Sequence, residues 1–395
     1  MPDVVKTVHE NGAESGLEFR IDPCLSAIDP VEWGRVTPAS FPFADHAFLS
    51  ALEASGSVGG DSGWDPHYVT LYDDGRLVGA TYLYVKSHSY GEYVFDWAWA
   101  QAYERHGLAY YPKMISAVPF TPATGVKLMV DPAVDGARVR RALIRAAINV
   151  ARQTGCSSLH FLFVPEDEVK YYEEDGLLIR SGVQFHWHNR GYADFDEFLC
   201  TLKARKRHEI RRERRRVNEL PLSIELVTGQ DFEPQHGRAM YELYLETIRK
   251  KMAYPYLTED FFVRITDTFR GQALLLLARC NGVAVAGAIH FTKGDGLYGR
   301  YWGCHADYRH LHFELCYYRA IDWAIEHGIS LFEAGAQGPH KIQRGFSPVL
   351  TYSAHWIADE AFRDAIAEFV VKERDEIEWG IEGATDHTAY RADAL

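Results

Sequence analysis

Apolar and polar positions along this chain repeat one pattern twice. Residues 68–85 (YVTLYDDGRLVGATYLYV) and 274–293 (LLLLARCNGVAVAGAIHFTK) each predict an apolar strand, a short turn and a second strand that opens on Leu-Val-Gly-Ala or Val-Ala-Gly-Ala. A helical pattern follows each of them and ends in a glycine, Gly155 or Gly328, ahead of another apolar strand. This repeated order of hairpin, helix and strand predicts two copies of one α/β unit with mixed sheets.

The length of 395 residues, about twice that of a usual domain, agrees with two cores. We predict an N-terminal domain at residues 1–193, a basic connecting helix at 194–220, and a C-terminal domain at 221–395 with a closing amphipathic helix. In the first copy the pattern predicts a strand at 92–99 and an aromatic, proline-rich insertion at about 97–130. Such an insertion is either a binding loop or a packed surface excursion.

Positive charge is concentrated in one segment. The net charge is −13, yet residues 203–216 (KARKRHEIRRERRR) are strongly basic and predict a cationic helix. We expect Arg205, Arg211 and Arg212 to bind phosphate there, either a pyrophosphate or the RNA phosphates of a tRNA acceptor end. The alternative is a solvated charged helix face. The acidic remainder of the chain disfavours DNA and general nucleic-acid binding.

Targeting and metal signals are weak. The N-terminal segment MPDVVKTVHENGAESG lacks a signal-peptide pattern, and no stretch of about twenty apolar residues occurs, so we expect a cytoplasmic protein without a membrane span. The six cysteines form no C-x-x-C pair and mostly lie in apolar patterns, which indicates reduced core thiols. We expect neither a metal nor a resident cofactor.

Three strands followed by a loop of the form V-x-P-x-x-R-G-x-G-x-G-x-x-L and a helix resemble the GNAT acyltransferase fold. The corresponding loops are residues 130–143 (VDPAVDGARVRRAL) in copy one and 306–315 (ADYRHLHFEL) in copy two. In GNAT enzymes the glycines let backbone N–H groups approach the pyrophosphate of coenzyme A. Most of these glycines are missing here, and His312 and Glu314 stand at two of their positions in copy two.

Three further segments resemble the Fem family of peptidoglycan interpeptide-bridge transferases. Residues 205–213 (RKRHEIRRE) are similar to the Arg-x-x-Ile-Arg-Lys-Ala signature, and residues 340–346 (HKIQRGF) are similar to the Phe-Lys-x-x-Phe-Gly segment. Residues 110–113 (YYPK), with an Ala-Val-Pro at 117–119, are similar to the proline-rich substrate loop of the first domain. The chain is therefore identified as a FemAB-like predicted N-acyltransferase. The resemblance implies two fused GNAT-like domains and a functional role for Lys341.

Three residues are candidates for the chemistry. Lys341 follows a segment with two glycines that leaves the carboxyl end of a strand, where open α/β sheets place ligands. We expect it to stabilise an oxyanion or a phosphate, with a solvated loop lysine as the alternative. His312 or Glu314 could deprotonate the acceptor amine. Their alternatives are a hydrogen-bonded, partly buried histidine and a helix-capping carboxylate.

A second set of side chains is expected to contact substrate. Gln184, His186 and His188 alternate along a strand and therefore share one face, which suggests the wall of a cleft. The two histidines lack a carboxylate or cysteine that would complete a metal site. Aromatic residues of the strand at 296–303 belong to the core more often than to a ligand site. The remaining substrate-binding candidates are Arg300, Trp302, Gln337, His340 and Arg344.

We predict an N-acyltransferase that forms an amide between an activated acyl or aminoacyl group and an amine on a peptidoglycan precursor or small peptide. The missing glycines disfavour coenzyme A, and the basic helix offers cations for RNA phosphates. We therefore expect aminoacyl-tRNA to be the donor. One alternative is a GNAT enzyme that uses acyl-coenzyme A. Another is a non-catalytic binder of a cell-wall precursor or RNA, in which one or both copies have lost activity.

Overall fold

The protein is described by a computed structural model over residues 16–335, 338–386 and 388–394. The backbone groups into two compact units. Unit 1 contains the described residues up to Gly182 together with Leu350–Ile377, and unit 2 contains Val183–Val349 and the described residues from Glu378 onward. Each unit is a mixed sheet with helices packed on it, so the predicted α/β class is confirmed. Within the described ranges, no helix is both long enough and apolar enough to cross a bilayer.

Unit 1 is built on strands that are antiparallel except for one pair. The strands are β1 (Leu17–Asp22), β2 (Trp64–Asp73), β3 (Arg76–Lys86), β4 (Lys113–Ser116), β5 (Met129–Val130), β6 (Ser158–Val164) and the first part of β7 (Leu178–His188). The helices are α1 (Pro30–Val36), α2 (His46–Ala54), α3 (Trp97–Arg105), α4 (Gly136–Gln153) and α5 (Val169–Glu174). The sheet order is β1-β2-β3-β4-β6, with β4 and β6 parallel and β5 beside β3.

Unit 2 repeats this arrangement. Its helices are α6 (Phe195–Cys200), α7 (Ala204–Asn218), α8 (Pro234–Lys250), α9 (Glu259–Thr268), α10 (Leu311–Phe313), a π-helical turn (Glu314–Tyr318) and α11 (Arg319–Glu326). Its strands are β8 (Ser223–Thr228), β9 (Ala273–Cys280), β10 (Val283–Lys293), β11 (Gly296–Cys304) and β12 (Leu331–Glu333). The order is β8-β9-β10-β11-β12, and β11 and β12 form the parallel pair.

The strand that completes each unit comes from the other copy in sequence. In unit 1, β6 pairs with β13 (Ser347–Ile357), and the first part of helix α12 (Glu360–Asp386) belongs to the same unit. In unit 2, β12 pairs with the second part of β7. The predicted domain limits at residues 193 and 220 differ from this grouping because hydropathy patterns do not record which strands pair.

Three local predictions are corrected. The predicted strand at 92–99 is an irregular segment that leads into helix α3. The insertion at about 97–130 is not a separate excursion, because β4 lies within it and pairs with both β3 and β6. The single basic helix predicted at 194–220 is two helices, α6 and α7, with a break at Thr201–Lys203.

The repeated glycine of the two hairpins has a packing cause. A Cβ on Gly79 in β3 would lie 2.5 Å from Val139 of helix α4, and one on Gly287 in β10 would lie 2.9 Å from Leu277 of β9 and 3.0 Å from Leu243 of helix α8. A helix therefore packs against each strand too closely for a side chain. The Gly-Ala pair that the two hairpins share marks these two contact points.

Candidate functional site

The candidate site of unit 2 lies where its parallel strand pair ends. The pairing of β11 with β12 stops at Tyr298 and Glu333, while β11 continues to Cys304 without that neighbour. The chain leaves β12 through two glycines with positive φ, Gly335 and Gly338, and turns into a 3-10 helix at Pro339–Arg344. We call the described part of residues 334–345 the lysine loop. The predicted binding residue Gln337 falls outside the described residues.

Lys341 occupies the interior of the lysine loop. Its side chain is 2% exposed, and Nζ donates a hydrogen bond to the Gly335 carbonyl oxygen at 2.7 Å. Burial lowers the pKa of Lys341 to about 8; the charge of Arg300 lowers it further, whereas Cys316 opposes the shift. Lys341 is therefore a buried amine at the carboxyl end of a strand, not a solvated loop lysine.

Aromatic rings surround His312 beside this loop. The His312 ring centroid lies 5.1 Å from that of Trp302, 5.4 Å from that of Tyr317 and 6.1 Å from that of His340. His340 also shares a hydrogen bond of 3.0 Å between its Nε2 and the hydroxyl of Tyr317. The structure thus brings together His312, Trp302 and His340, three of the residues selected from the sequence.

The protonation of His312 bears on its predicted role as a base. Burial lowers its pKa to about 4, and the charges of His340, Arg344 and Lys341 contribute. The imidazole is therefore neutral at neutral pH and can accept a proton, but a pKa this low makes it a weak general base. Its surroundings favour a role as a wall of the site.

Glu314 has a different setting. The side chain is fully buried in the π-helical turn, and its Oε1 accepts hydrogen bonds from Arg214 at 3.3 Å and from Arg319 at 3.0 Å. Burial raises the pKa of Glu314, and the two arginines oppose that rise. Because two cations hold this carboxylate, we infer that Glu314 anchors helix α7 and does not deprotonate an amine.

The three polar residues of β7 share one face, as the alternation predicts. Gln184 and His186 are buried and joined by a 3.2 Å hydrogen bond, whereas His188 is exposed. His186 Nε2 lies 3.7 Å from Glu333 Oε1, but burial lowers the pKa of His186 to about 3, with contributions from His188 and Lys341. We conclude that His186 is a neutral hydrogen-bonding group close to the lysine loop and not half of an ion pair.

Arg344 is buried and fully engaged. Its Nε donates to the Tyr318 hydroxyl at 3.0 Å, Nη1 donates to the His340 carbonyl at 2.9 Å, and Nη2 donates to Glu213 at 3.0 Å. These contacts leave little of the guanidinium for the predicted substrate contact. Arg300 lies in β11 with its guanidinium carbon 5.8 Å from the centre of the Tyr301 ring.

The predicted phosphate ligands lie on helix α7 and are all exposed. Arg211 pairs with Asp196 at 2.7 Å. Arg205 and Arg212 are seven residues apart, on one face of the helix. Neither forms a hydrogen bond or an ion pair with a residue that the structure describes, although the charge of Arg205 acts on nearby Glu209. A cavity of about 390 Å³ between α6 and α7 is lined by Arg211 and two other arginines, whose charge Asp196 and Glu219 offset in part. Arg205 and Arg212 are thus the better phosphate candidates.

Sequence reasoning missed a buried charged network in unit 1. Lys113 Nζ donates to Glu92 at 2.7 Å, to Ser89 at 2.8 Å and to Asp96, and all four residues are buried. Lys86 lies nearby, 3.8 Å from the centre of the Trp64 ring, and burial lowers its pKa to about 7. In the sequence, the one sign of this network is that these lysines stand within apolar strand patterns.

Two histidines extend this network. His160 Nδ1 lies 2.7 Å from His355 Nδ1, so one ring donates and the other accepts. Tyr110 lies 3.2 Å from His160 Nε2 and donates to Asp96 at 2.5 Å. Tyr110 and Lys113, the two ends of the predicted substrate loop, are therefore buried in a hydrogen-bonded chain of unit 1, whereas Pro112 between them is exposed.

The loop before helix α4 corresponds to the GNAT phosphate loop of copy one. The carboxylate of Asp135 accepts hydrogen bonds from the backbone N–H groups of Ala137 at 3.1 Å and Arg138 at 3.3 Å. These N–H groups belong to the helix terminus that would approach a pyrophosphate. Copy one thus caps this terminus with its own side chain.

Comparison with known proteins agrees with this architecture. Residues 24–392 match the FemAB-like family, described as peptidoglycan biosynthesis/recognition. No curated protein sequence matches the chain. FemX is similar in structure, with 12% identity over 81% of this chain and 93% of FemX and a TM-score of 0.50.

Two further solved structures are similar to the chain. The C-terminal domain of a putative lysylphosphatidylglycerol synthetase from Agrobacterium fabrum has 11% identity over 86% of this chain and 96% of that domain, with a TM-score of 0.53. A conserved protein of unknown function from Bacteroides thetaiotaomicron has 11% identity over 85% and 98%, with a TM-score of 0.51. At these identities the likeness shows the fold. The predicted family is confirmed, and the mixed α/β fold of the chain is similar to that of FemX.

Proposed function

This chain belongs to the FemAB-like peptidoglycan biosynthesis/recognition family, and from that premise we propose that it is an N-acyltransferase with its reaction centre at the lysine loop of unit 2. The reaction joins an activated acyl or aminoacyl group to an amine. One observation carries the proposal: Lys341 is a buried amine, held by the Gly335 carbonyl where the parallel strand pair ends. Functional groups of open α/β sheets gather at this position.

The chemistry follows from the charge of Lys341. The acceptor nitrogen attacks the donor carbonyl carbon and a C–N bond forms. The ester or thioester bond breaks, and the departing alcohol or thiol takes up the proton that the nitrogen loses. Negative charge develops on the carbonyl oxygen in the tetrahedral intermediate, and a fixed ammonium in a water-poor site stabilises it. With a pKa of about 8, Lys341 is mostly protonated at neutral pH. It therefore acts as the cation that this step requires.

An aminoacyl ester such as aminoacyl-tRNA is the proposed donor. In copy one, Asp135 already caps the helix terminus that a pyrophosphate would approach. In copy two, the ring of His312 packs against Trp302 at the position of a missing glycine. Neither terminus offers an open cradle for coenzyme A, whereas Arg205 and Arg212 provide exposed cations for RNA phosphates.

The acceptor is proposed from the family description. Peptidoglycan precursors carry peptide amines, and a FemAB-like protein described by peptidoglycan biosynthesis/recognition is expected to act on them. The structural relatives FemX and a putative lysylphosphatidylglycerol synthetase agree with aminoacyl transfer as the reaction class. We propose an amine of a peptidoglycan precursor peptide as the acceptor.

The test is transfer of a radiolabelled amino acid from a charged tRNA pool to a precursor peptide, with mass spectrometry of the product. Lys341→Met should lower the rate by about 10²–10³-fold, as expected for the loss of one oxyanion-stabilising group. The matched control is Lys372→Met, which removes an exposed lysine of helix α12 and should leave the rate unchanged. Equal rates for both variants would refute the assignment of Lys341.

The alternative donor is acyl-coenzyme A, and calorimetry separates the two. Micromolar binding of coenzyme A to the purified protein would favour the alternative, whereas its absence together with transfer from charged tRNA supports the proposal. A non-catalytic binder would bind the precursor peptide without forming any product from either donor.

A further inference from the structure

One acidic side chain on the basic helix is buried. Glu213 lies in α7 among exposed arginines, yet it is 3% exposed. Burying a carboxylate is costly unless it is paired and hydrogen-bonded. Arg344 Nη2 lies 3.0 Å from Oε1 and 3.2 Å from Oε2 of Glu213, and the Tyr318 hydroxyl donates to Oε2. Both carboxylate oxygens therefore have partners.

Arg344 connects this carboxylate to the lysine loop. Besides Glu213, its guanidinium donates to the backbone carbonyl of His340, the residue that precedes Lys341. The guanidinium carbon also lies 3.4 Å from the centre of the Phe313 ring. Without the negative charge of Glu213, this buried cation would lack its charge partner and would be expected to turn toward water. The hydrogen bond to the loop backbone would then be lost.

We propose that Glu213 is a positioning residue, which acts through Arg344 to fix the lysine loop so that the Lys341 ammonium meets the reacting carbonyl. This inference rests on the proposed function, because that reaction is what the position of Lys341 serves. A misplacement of about 1 Å can cost about 10²-fold in rate. The contact therefore makes helix α7 part of the reaction centre in addition to its exposed arginines.

The first experiment measures Lys341 directly, without any substrate. The intact protein is treated with dilute acetic anhydride over a series of pH values, and acetylation of the Lys341 peptide is followed by mass spectrometry. Glu213→Gln keeps the side-chain shape and removes the charge. The labelling midpoint should move upward from about 8 toward the ordinary lysine value, because a released loop hydrates the amine. Amide hydrogen exchange at Gly338–Phe346 should also become faster.

Controls separate positioning from general damage. Glu326→Gln changes an exposed glutamate of helix α11 and should leave both readouts as in the wild type. If Glu213→Gln folds poorly, the double variant Glu213→Ala/Arg344→Leu removes both charges and leaves neither buried without a partner. The same upward shift is expected there. An unchanged midpoint and unchanged exchange in the folded variants would overturn the proposal.

The transfer assay provides a second readout. Glu213→Gln should lower kcat by about 10–100-fold while the KM for the donor stays within about twofold, because the loop and not the donor surface is disturbed. If the wild-type protein transfers no acyl group but the labelling midpoint still shifts, the proposed function fails and the positioning contact stands. If the wild type is active and the midpoint does not shift, the positioning role alone is refuted.

Discussion

Replacement of Lys113 by methionine tests the buried network of unit 1. Lys113 is 0% exposed, and its three hydrogen bonds reach Ser89, Glu92 and Asp96. Methionine fills a similar volume but removes the cation that donates to both buried carboxylates, and only Glu92 keeps another cation near it, Lys86 at 4.0 Å. Removing one partner of a buried ion pair costs about 3–5 kcal/mol, a large part of the about 5–15 kcal/mol that stabilises a typical protein. We expect a loss of this size in the free energy of unfolding.

The loss should depend on pH. In the wild type, burial would raise the pKa of Asp96, but Lys113 and hydrogen bonds hold it below its usual value. This stabilisation is present when the pH is above the pKa that Asp96 has in the unfolded chain. It is lost as the pH falls through the pKa that Asp96 has in the folded protein. In Lys113→Met, burial should raise the pKa of Asp96, so the variant loses stability as the pH rises. The difference between the two proteins should therefore grow from about pH 4 to about pH 7.

Urea unfolding at several pH values, followed by tryptophan fluorescence, measures this difference. Lys372→Met, an exposed lysine replaced in the same way, should match the wild type at every pH. A second variant, Lys113→Met/Asp96→Asn, should recover part of the lost stability because one uncompensated charge is gone. The reasoning is wrong if Lys113→Met stays within about 1 kcal/mol of the wild type at pH 7, or if the difference is the same at acidic and neutral pH.

Other changes probe the candidate site. With a pKa of about 8 for Lys341, the transfer rate of the wild type is expected to fall as the pH rises through that value, and Lys341→Arg should abolish the fall because arginine stays protonated. A kcat/KM profile of Lys341→Arg that keeps this fall would contradict the role of Lys341. The double variant Arg205→Gln/Arg212→Gln should weaken tRNA binding and reduce the slope of log Kd against log salt concentration by about 1–2. Arg363→Gln on α12 is the control. Glu314→Gln should lower the free energy of unfolding by about 2–3 kcal/mol, because two arginines lose a buried anion; equal urea midpoints would refute this.

Much of the fold could be read from local patterns. The alternation and helical spacing around Gly79 and Gly287 predicted both hairpins, and the apolar periodicity before Gly155 and Gly328 predicted the helices that follow. These features depend on residues close in sequence, so hydropathy records them. The same logic failed at 92–99, where alternating aromatics suggested a strand but the chain forms the approach to helix α3.

The candidate site was partly predictable. Lys341, His312 and Trp302 were selected from the sequence. The structure places Lys341 in the loop after the parallel strand pair and packs the ring of His312 against that of Trp302. Motif spacing could not show that Glu314 is held by two arginines. It also could not show that Arg344 is occupied by Glu213, because these partners lie far apart in the chain.

The sequence by itself determined the duplication, the α/β class, the concentration of positive charge on α7 and the departure from the glycine-rich loop. Glu213 stands where the first Fem segment has its alanine, and Arg344 stands where the second has its second phenylalanine. Only the tertiary structure shows that these two residues meet. The structure alone decided which strand completes each unit and which charges are buried. The physical reason is that strand pairing and desolvation are set by contacts between distant segments, which leave no periodic trace in either segment.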